Sequence, residues 1–310
     1  MRRIVPALAF LAAFSLAQQT SPVPTPEPGS PQDLMQQAQK LSHDGKLDDS
    51  LALYKQVLEK LPNLFEAHLG AGMVLDLKGD YVAARKHLNK AVELAGPNTI
   101  VQARRTLATS YAFEGNARKA SGYEKTVYDD GIRQAEWEAA AGVCNELARI
   151  YLESGDSDNA YNWYKKGYET IQRKSDLTDA DKNLWLFRWE NAQARIAARR
   201  GKAEEAHGHV LAAKAALDKA NNPDQARFYP YLTGYVAFYT GDYKNAITEL
   251  QKADQHDPLI LALLGEAFEK AGDAAQAKDY YRKVLEINTH NPANAFARPL
   301  ARKKLKELGA

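Results

Sequence analysis

Two asparagine–arginine pairs are the most suggestive polar features of this chain. Asn145 precedes Arg149 by four residues, and Asn191 precedes Arg195 by the same interval. Residues four apart share one face of a helix, so each pair would present an amide beside a guanidinium. An asparagine amide can donate to and accept from a peptide backbone, and an arginine can grip a carboxylate with two hydrogen bonds. This spacing indicates recognition of a peptide or a carboxylate.

Residues suited to catalysis or metal binding are sparse. Cys144 is the sole cysteine and stands in an apolar helical pattern, where a buried and unreactive thiol is expected. His207 and His209 are two apart, so they would point about 200° apart on a helix and could not readily share a metal. The sequence has no HExxH, no GxSxG and no phosphate-binding loop. We therefore predict no catalytic residue, no metal and no cofactor.

Repeated helical hairpins are the elements that would position the two pairs. Seven glycines recur at steps of 31 to 46 residues, each with a very small residue seven positions before it and another five positions after it. Glycine permits the turn between two helices, and small residues let those helices approach closely. The pattern predicts an array of helix–turn–helix units. The glycines are Gly45, Gly79, Gly115, Gly155, Gly201, Gly241 and Gly272.

The array resembles the tetratricopeptide repeat. The segment Gly234–Ala246 reads Gly-x-x-x-x-x-x-Gly-Asp-Tyr-x-x-Ala, Gly72–Ala84 matches equally well, and Leu264-Gly265 is followed by Phe268. The likeness covers about residues 31–292. It implies an all-α fold, a right-handed superhelical α-solenoid of about seven units plus a C-terminal capping helix. It also implies that the first helices line a concave face, where the family commonly binds peptides.

The chain departs from the family pattern in two respects. No unit has the family's tryptophan in its first helix, where His68, Arg104, Cys144 and Leu261 stand instead. The fourth and fifth units are also long, which predicts extended helices. The predicted helices are Ile132–Arg149, Tyr161–Arg173 and Thr178–Arg200, the last beginning at a capping box formed by Thr178 and Asp181.

The predicted concave groove contains both asparagine–arginine pairs. Helical geometry projects the residues 3, 6, 10 and 13 positions before each turn glycine onto one inward stripe. In the middle units that stripe is polar, and in the sixth unit it is aromatic, which would supply an apolar anchor. We predict binding of an acidic or C-terminal peptide segment. The candidate residues are Arg105, Asn145, Arg149, Arg188, Asn191, Arg195, Tyr231 and Tyr235.

Two alternatives to a peptide groove remain open. In the first, the arginines pair internally with Glu146, Glu153 and Glu190, and the tyrosines near Tyr231 are core. In the second, exposed and stacked tyrosines bind a non-peptide ligand, a glycan or a lipid.

The rest of the chain predicts an exported protein. Arg2-Arg3, a short apolar run and Ser15-Leu16-Ala17 are typical of a cleavable signal peptide, residues 1–17. A proline-rich linker follows over 18–31, then the solenoid over 32–292 and the capping helix over 293–310, with Arg302, Lys303, Lys304 and Lys306 expected to be exposed. We expect a periplasmic or secreted location, with no stable membrane insertion after cleavage.

The charge balance argues against a nucleic-acid partner. Lys and Arg number 41 and Asp and Glu number 39, so the chain lacks a global positive field. The sequence therefore predicts a non-enzymatic scaffold or adaptor of the bacterial cell envelope, with a protein or peptide partner.

Overall fold

Seven helical hairpins follow one another along the chain and a single helix completes it. The computed structural model describes residues 26–310, so the predicted signal peptide and most of the predicted linker lie outside the described residues. Every regular element in 26–310 is helical. The hairpins are α1 (Pro31–His43) with α2 (Leu47–Lys60), α3 (Phe65–Lys78) with α4 (Tyr81–Leu94), α5 (Ile100–Phe113) with α6 (Ala117–Arg133), and α7 (Trp137–Glu153) with α8 (Ser157–Ile171). They continue with α9 (Asp179–Arg199) and α10 (Ala203–Ala220), the short α11 (Pro223–Ala226), α12 (Tyr229–Tyr239) with α13 (Tyr243–Leu250), α14 (Pro258–Lys270) with α15 (Ala274–Glu286), and finally α16 (Pro292–Glu307).

The seven repeat glycines form the turns of the hairpins. All seven have a left-handed backbone, with φ between 72° and 93°. At Gly79, for example, the N–H of Asp80 donates back to the carbonyl of Leu75 at 2.9 Å, which closes the end of α3. The predicted solenoid of helical hairpins is therefore confirmed, with each hairpin one repeat unit.

The small residues flanking each turn allow the two helices of a hairpin to touch. The residue seven before the glycine packs on the residue nine after it, as Gly234 does on Leu250 and Gly265 on Tyr281. Leu250 and Tyr281 are fully buried. A side chain at either glycine would overlap its partner, so the spacing of small and large residues follows directly from the closeness of the helices.

The long helices are predicted correctly in the fifth unit and wrongly at the start of the fourth. Thr178 caps α9, with its hydroxyl accepting from the N–H of Asp181 and its own N–H donating to that carboxylate, so the capping box is confirmed. The predicted helix Ile132–Arg149 is instead broken at Ala135, whose φ is 56°. The N–H of Glu136 donates to the carbonyl of Gly131 there. This turn has the geometry of the others without their glycine, which is why the repeat pattern missed it.

The C-terminal helix differs most from expectation. It begins at Pro292, one residue before the predicted start, because Asn291 caps it by accepting from the N–H of Asn294 at 2.8 Å. It packs on α14 and α15 at its own end of the array, and also on α5 and α7 from the third and fourth units. Phe296 joins the apolar cluster around Leu107 and Phe113. The helix thus lies inside the array instead of only capping its end.

Polar contacts fasten this C-terminal segment to the second unit. Arg298 is almost fully buried and donates through Nε to the carbonyl of Leu77 at 3.0 Å. His290 meets the buried carboxylate of Asp76 at 2.8 Å. Arg302, predicted to be exposed, also donates to the carbonyl of Leu77, at 2.7 Å. The array is therefore closed upon itself, since residues more than two hundred positions apart are bonded.

The closure explains why two of the four C-terminal cations are not free. Arg302 is held by Leu77, and Lys304 binds Glu269 of α14 at 3.0 Å, whereas Lys303 and Lys306 are exposed as expected. Helix α16 lies against the second, third, fourth and seventh units, and Phe296 and Leu300 also face α12 of the sixth unit. Along the part of the chain that the structure describes, the fourth to sixth units also form a cavity that no residue of α16 lines. No helix of the described residues has the length and apolarity required to span a bilayer.

Candidate functional site

A cavity of about 290 Å³ lies on the inner face of the fourth to sixth units. Its walls come from α7, α9 and α12, and the connections before α12 and α14 complete it. Six of the eight predicted groove residues line it: Asn145, Arg149, Arg188, Asn191, Arg195 and Tyr231. The repeat register therefore brings the two asparagine–arginine pairs to one place. We call this space the arginine cavity.

Within the arginine cavity, Arg195 is fixed by its neighbours. It is buried, and its Nε donates to the side-chain oxygen of Asn191 at 2.9 Å while Nη2 donates to the hydroxyl of Tyr164 at 2.8 Å. The second asparagine–arginine pair thus bonds internally, as the helical spacing of four permits. Arg195 has no carboxylate within ion-pair distance among the described residues, so its charge is oriented but not neutralised.

Arg149 is less completely satisfied than Arg195. Its Nε is buried without a hydrogen-bond partner among the described residues. Its Nη2 lies 3.8 Å from a carboxylate oxygen of Asp257, which is an ion-pair distance but too long for a hydrogen bond. A buried donor without an acceptor costs free energy, and the rest of the Arg149 side chain is still 30% exposed to an incoming ligand. Arg149 is therefore the best-placed group to receive an anion.

Two further arginines complete the positive character of the arginine cavity. Arg188 lies over the ring of Trp185 at 4.6 Å, and Arg227 lies over Phe228 at 5.0 Å. Burial lowers the pKa of Arg188, but a guanidinium still remains charged at neutral pH. Four arginines thus share this space with three carboxylates: Asp254, Asp257 and Glu146, the last of which is already paired with Arg105.

Sequence reasoning missed the groups that come from the connecting segments. Gln225 and Arg227 belong to the turn region around α11, and Asp254 and Asp257 precede α14. The inward stripe was projected from the first helices alone, so residues outside those helices could not enter it. The only signal was Asp257 before Pro258, which is typical of a helix start.

Tyr235 does not line the arginine cavity and is not an exposed anchor. It is buried, and its hydroxyl accepts from Nε of Arg199 at 2.7 Å. Arg199 also donates to Glu153 at 2.6 Å, which is one of the internal pairings considered above. Tyr235 is one helical turn beyond Tyr231, and that turn carries it into a second cavity of about 280 Å³. The prediction of Tyr235 as an apolar anchor in the groove is therefore wrong.

The geometry of the tyrosines also bears on the alternative of a glycan or lipid site. Tyr231 and Tyr235 meet edge to face, with ring centroids 5.7 Å apart and planes at 69°. Tyr239 tilts against Tyr235 at 4.6 Å. A sugar ring stacks on an open, flat aromatic surface, and these rings are instead turned toward one another.

Arg105 also lies outside the arginine cavity. It forms an ion pair with Glu146 and lies 4.0 Å from Glu124. Its place in the stripe is thus correct, but its charge is used within the fold. Glu124 stands nine residues after Gly115, where the other units have a large apolar residue in the second helix. The structure buries Glu124 at that position.

We expect Glu124 to make stability depend on pH. Burial, together with Glu146, raises the pKa of Glu124 to about 8, although Arg105 opposes the shift. In the unfolded chain this carboxyl titrates near pH 4.5. Its contribution to folding is therefore fully present below about pH 4.5 and is lost as the pH rises through 8. Replacing it with the neutral isostere, Glu124→Gln, should leave stability nearly unchanged near pH 4.5 and raise it by up to about 5 kcal/mol above pH 8.

Thermal unfolding of the parent and the variant between pH 4.5 and 9 measures this difference. Glu169→Gln, at an exposed carboxylate on α8, is the matched control and should give a curve parallel to that of the parent. Parallel curves for Glu124→Gln would contradict a raised pKa.

Cys144 agrees with its expected role. It is fully buried, and burial raises the pKa of its thiol to about 12, so the reactive thiolate is not populated at neutral pH.

The fold and the cavity together define a class of protein, the helical-repeat scaffold with a polar site on its inner face. The chain belongs to the tetratricopeptide repeat family: profiles described as tetratricopeptide repeat match residues 36–99, 141–171 and 231–292, together just over half of it. This membership supports a protein-interaction scaffold, because tetratricopeptide arrays typically act as non-enzymatic interaction modules.

The relatives support the fold without specifying a partner. Superkiller complex protein 3 of Mus musculus is 24% identical over 257 residues, which are 81% of this chain but only 15% of that relative. A tetratricopeptide repeat protein from Parabacteroides merdae superposes with a TM-score of 0.52 at 13% identity, covering 90% of this chain and 99% of its own. The apo form of RapI gives 0.55 at 13% identity, covering 89% and 99%. A Rap protein complexed with Competence and Sporulation Factor gives 0.50 at 14% identity, covering 90% and 76%.

Proposed function

We propose that this protein is a non-enzymatic interaction scaffold of the bacterial cell envelope that binds an acidic or C-terminal peptide segment in the arginine cavity. The observation that carries the proposal is the unused donor of Arg149. A carboxylate in the arginine cavity would meet the partly exposed guanidinium of Arg149 and would lie among guanidinium groups that outnumber the carboxylates available to them. Charge-assisted hydrogen bonds of this kind contribute about 1.5–3 kcal/mol each.

The shape of the arginine cavity favours a chain end or a side chain over a long extended segment. Helix α16 covers the inner side of the array next to the arginine cavity, and the arginine cavity itself holds about 290 Å³. Phe187, Phe228 and Ile260 contribute apolar wall to the same space. A ligand with an anionic group next to an apolar side chain would contact both the arginines and this apolar wall.

The proposal includes no catalytic step, because the groups that it assigns to the ligand are guanidinium and amide groups. Guanidinium and amide groups bind and orient a ligand, but at neutral pH they do not exchange protons with it. The Rap protein of similar fold was solved with a bound factor, which agrees with a binding role for such an array. The envelope setting rests on the sequence of residues 1–17 alone.

The test uses two fluorescent pools of random peptides, one ending in a free carboxylate and one ending in an amide. We expect the carboxylate pool to bind at least about tenfold more tightly, as measured by fluorescence anisotropy. The double variant Arg149→Gln/Arg188→Gln should reduce binding of the carboxylate pool by about tenfold or more. These two arginines are chosen because Arg195 supports Asn191 and Tyr164, and its loss would disturb the fold.

The control for lost positive charge is Arg118→Gln/Arg282→Gln, which removes two exposed arginines outside the arginine cavity. It should bind both pools as the parent does. Equal binding of the two pools by the parent, or an equal loss in the control variant, would refute a carboxylate site in this cavity.

A further inference from the structure

The second cavity lies directly beside the arginine cavity and has the opposite charge. Its volume is about 280 Å³, and it shares Tyr231 with its neighbour as a common wall. Tyr235 and Tyr239 line it from α12, while Phe296 and Leu300 of the inserted α16 form the facing side. We call it the tyrosine cavity. Residues of α16 cover one side of it, so this cavity forms only when α16 is packed inside the array.

Two carboxylates, those of Glu153 and Glu266, line the tyrosine cavity, and Arg199 is the one cation among its lining residues. Glu153 is ion-paired with Arg199 through one oxygen, at 2.6 Å, and its other oxygen is buried with no hydrogen-bond partner among the described residues. The Glu153 side chain is only 10% exposed. Glu266 also lines the cavity and forms no ion pair within the described part of the chain. The nearby Lys304 is engaged by Glu269.

The aromatic walls of the tyrosine cavity suit a cation as well. The Arg199 guanidinium already lies 4.4 Å from the ring centroid of Tyr239 and 5.7 Å from that of Tyr235. Tyrosine faces attract ammonium and guanidinium groups, most strongly where water is excluded. Burial raises the pKa of Glu266, against the influence of Lys304 and Arg199, so a cation bound beside it would favour its ionised form.

The two cavities are one helical turn apart on each of three helices. Arg149 and Glu153 are four residues apart on α7, Arg195 and Arg199 on α9, and Tyr231 and Tyr235 on α12. Four residues of helix rise about 6 Å. Two residues of extended peptide span about 7 Å. A basic residue two positions before an anionic chain end would therefore match the alternation of charge along the groove.

We propose that the tyrosine cavity receives a lysine or arginine side chain of the same peptide whose carboxylate enters the arginine cavity. This inference rests on the proposed function and narrows it to a ligand that carries both charges in a fixed order. Glu266 is the residue that would meet the incoming cation, with Glu153 beside it and the three tyrosines around it.

The experiment uses four labelled peptide pools and the full protein. Each pool is random except for the third residue from the C-terminus, which is lysine or its neutral isostere norleucine, and each ends in a carboxylate or an amide. We expect the lysine pool with a free carboxylate to bind about tenfold more tightly than the norleucine pool. In Glu266→Gln this preference should fall below about twofold. Glu266 is changed rather than Glu153, because Glu153 neutralises Arg199.

Glu204→Gln, at an exposed carboxylate on α10, is the matched control and should keep the full preference for lysine. Equal or tighter binding of the norleucine pool would overturn the basic subsite, as would an unchanged preference in Glu266→Gln. Comparing the pools that end in a carboxylate with those that end in an amide tests the arginine cavity independently of the basic subsite. A preserved carboxylate preference without a lysine preference would overturn only the subsite, and no binding by any pool would overturn both proposals.

Discussion

Arg298→Met should lower the free energy of unfolding by about 2 kcal/mol, although Arg298 lines neither cavity. The guanidinium donates to the carbonyls of Leu77, Leu285 and Ile287 at 3.0 to 3.1 Å, and it is 5% exposed. Methionine retains the apolar length of the side chain but leaves the carbonyl of Leu285 without a side-chain donor, whereas Leu77 keeps Arg302 and Ile287 keeps Asn294. Each buried and unpaired acceptor costs about 1–3 kcal/mol.

The readouts for this variant are the melting temperature and hydrogen exchange along α16. We expect the melting temperature to fall by several degrees and amide exchange in residues 288–307 to accelerate, because Leu77 belongs to the second unit and the other two carbonyls precede α16. Lys303→Met on the same helix is the control, since Lys303 is 71% exposed. If both variants melt together with the parent, the buried network contributes no net stability.

Gly234→Val should destabilise the fold by about 3 kcal/mol. A β-carbon at Gly234 would lie 2.6 Å from Cγ of Leu250 and 3.0 Å from its backbone nitrogen. Leu250 is fully buried and its backbone belongs to the partner helix of the hairpin, so neither can move aside cheaply. The helices α12 and α13 would have to separate, and the tyrosines that line both cavities stand on α12.

Gly208→Val supplies the matched control for this substitution. Gly208 is also in a helix, α10, but nothing lies within 4 Å of a β-carbon built on it. Helix propensity slightly favours valine over glycine, so we expect no loss there. Chemical denaturation of both variants separates the two cases. Similar losses at Gly234 and Gly208 would show that helix packing is not the cause.

Much of this fold can be predicted from the sequence because close helix packing leaves a local record. A glycine turn needs a left-handed residue, and a small residue must stand opposite a large one, so the offsets repeat wherever a hairpin repeats. Ala135 shows the limit of that argument. It adopts the same left-handed turn without glycine, and the sequence gives no local sign of it.

The candidate site could be predicted only as far as helix geometry extends. The spacing of Asn145, Arg149, Asn191 and Arg195 indicates one shared face, and the structure brings them to one cavity. Which charges remain unmatched depends on partners from other units. Arg105 uses its charge on Glu146, and Tyr235 accepts from Arg199, through contacts that no pattern within one helix records.

The inserted position of α16 could not be predicted from the sequence either, because it also depends on contacts between distant units. Its apolar and basic residues are those of a helix with one covered face, and that pattern fits a cap on the last unit as well as an insertion between distant units. The deciding groups are polar: Asp76, His290 and Arg298. None of these three residues belongs to a recognisable motif, and each meets its partner only when the folded array brings the second unit and the C-terminal segment together.

The bond between the last helix and the second unit has a consequence for how this protein can evolve. An open array tolerates gain or loss of a unit by duplication or deletion, because each unit touches only its neighbours. Here His290 contacts Asp76 and Arg298 contacts Leu77, so the number of units between the second unit and α16 is fixed. Adding or removing a unit would displace His290 and Arg298 from Asp76 and Leu77, and these contacts could not form.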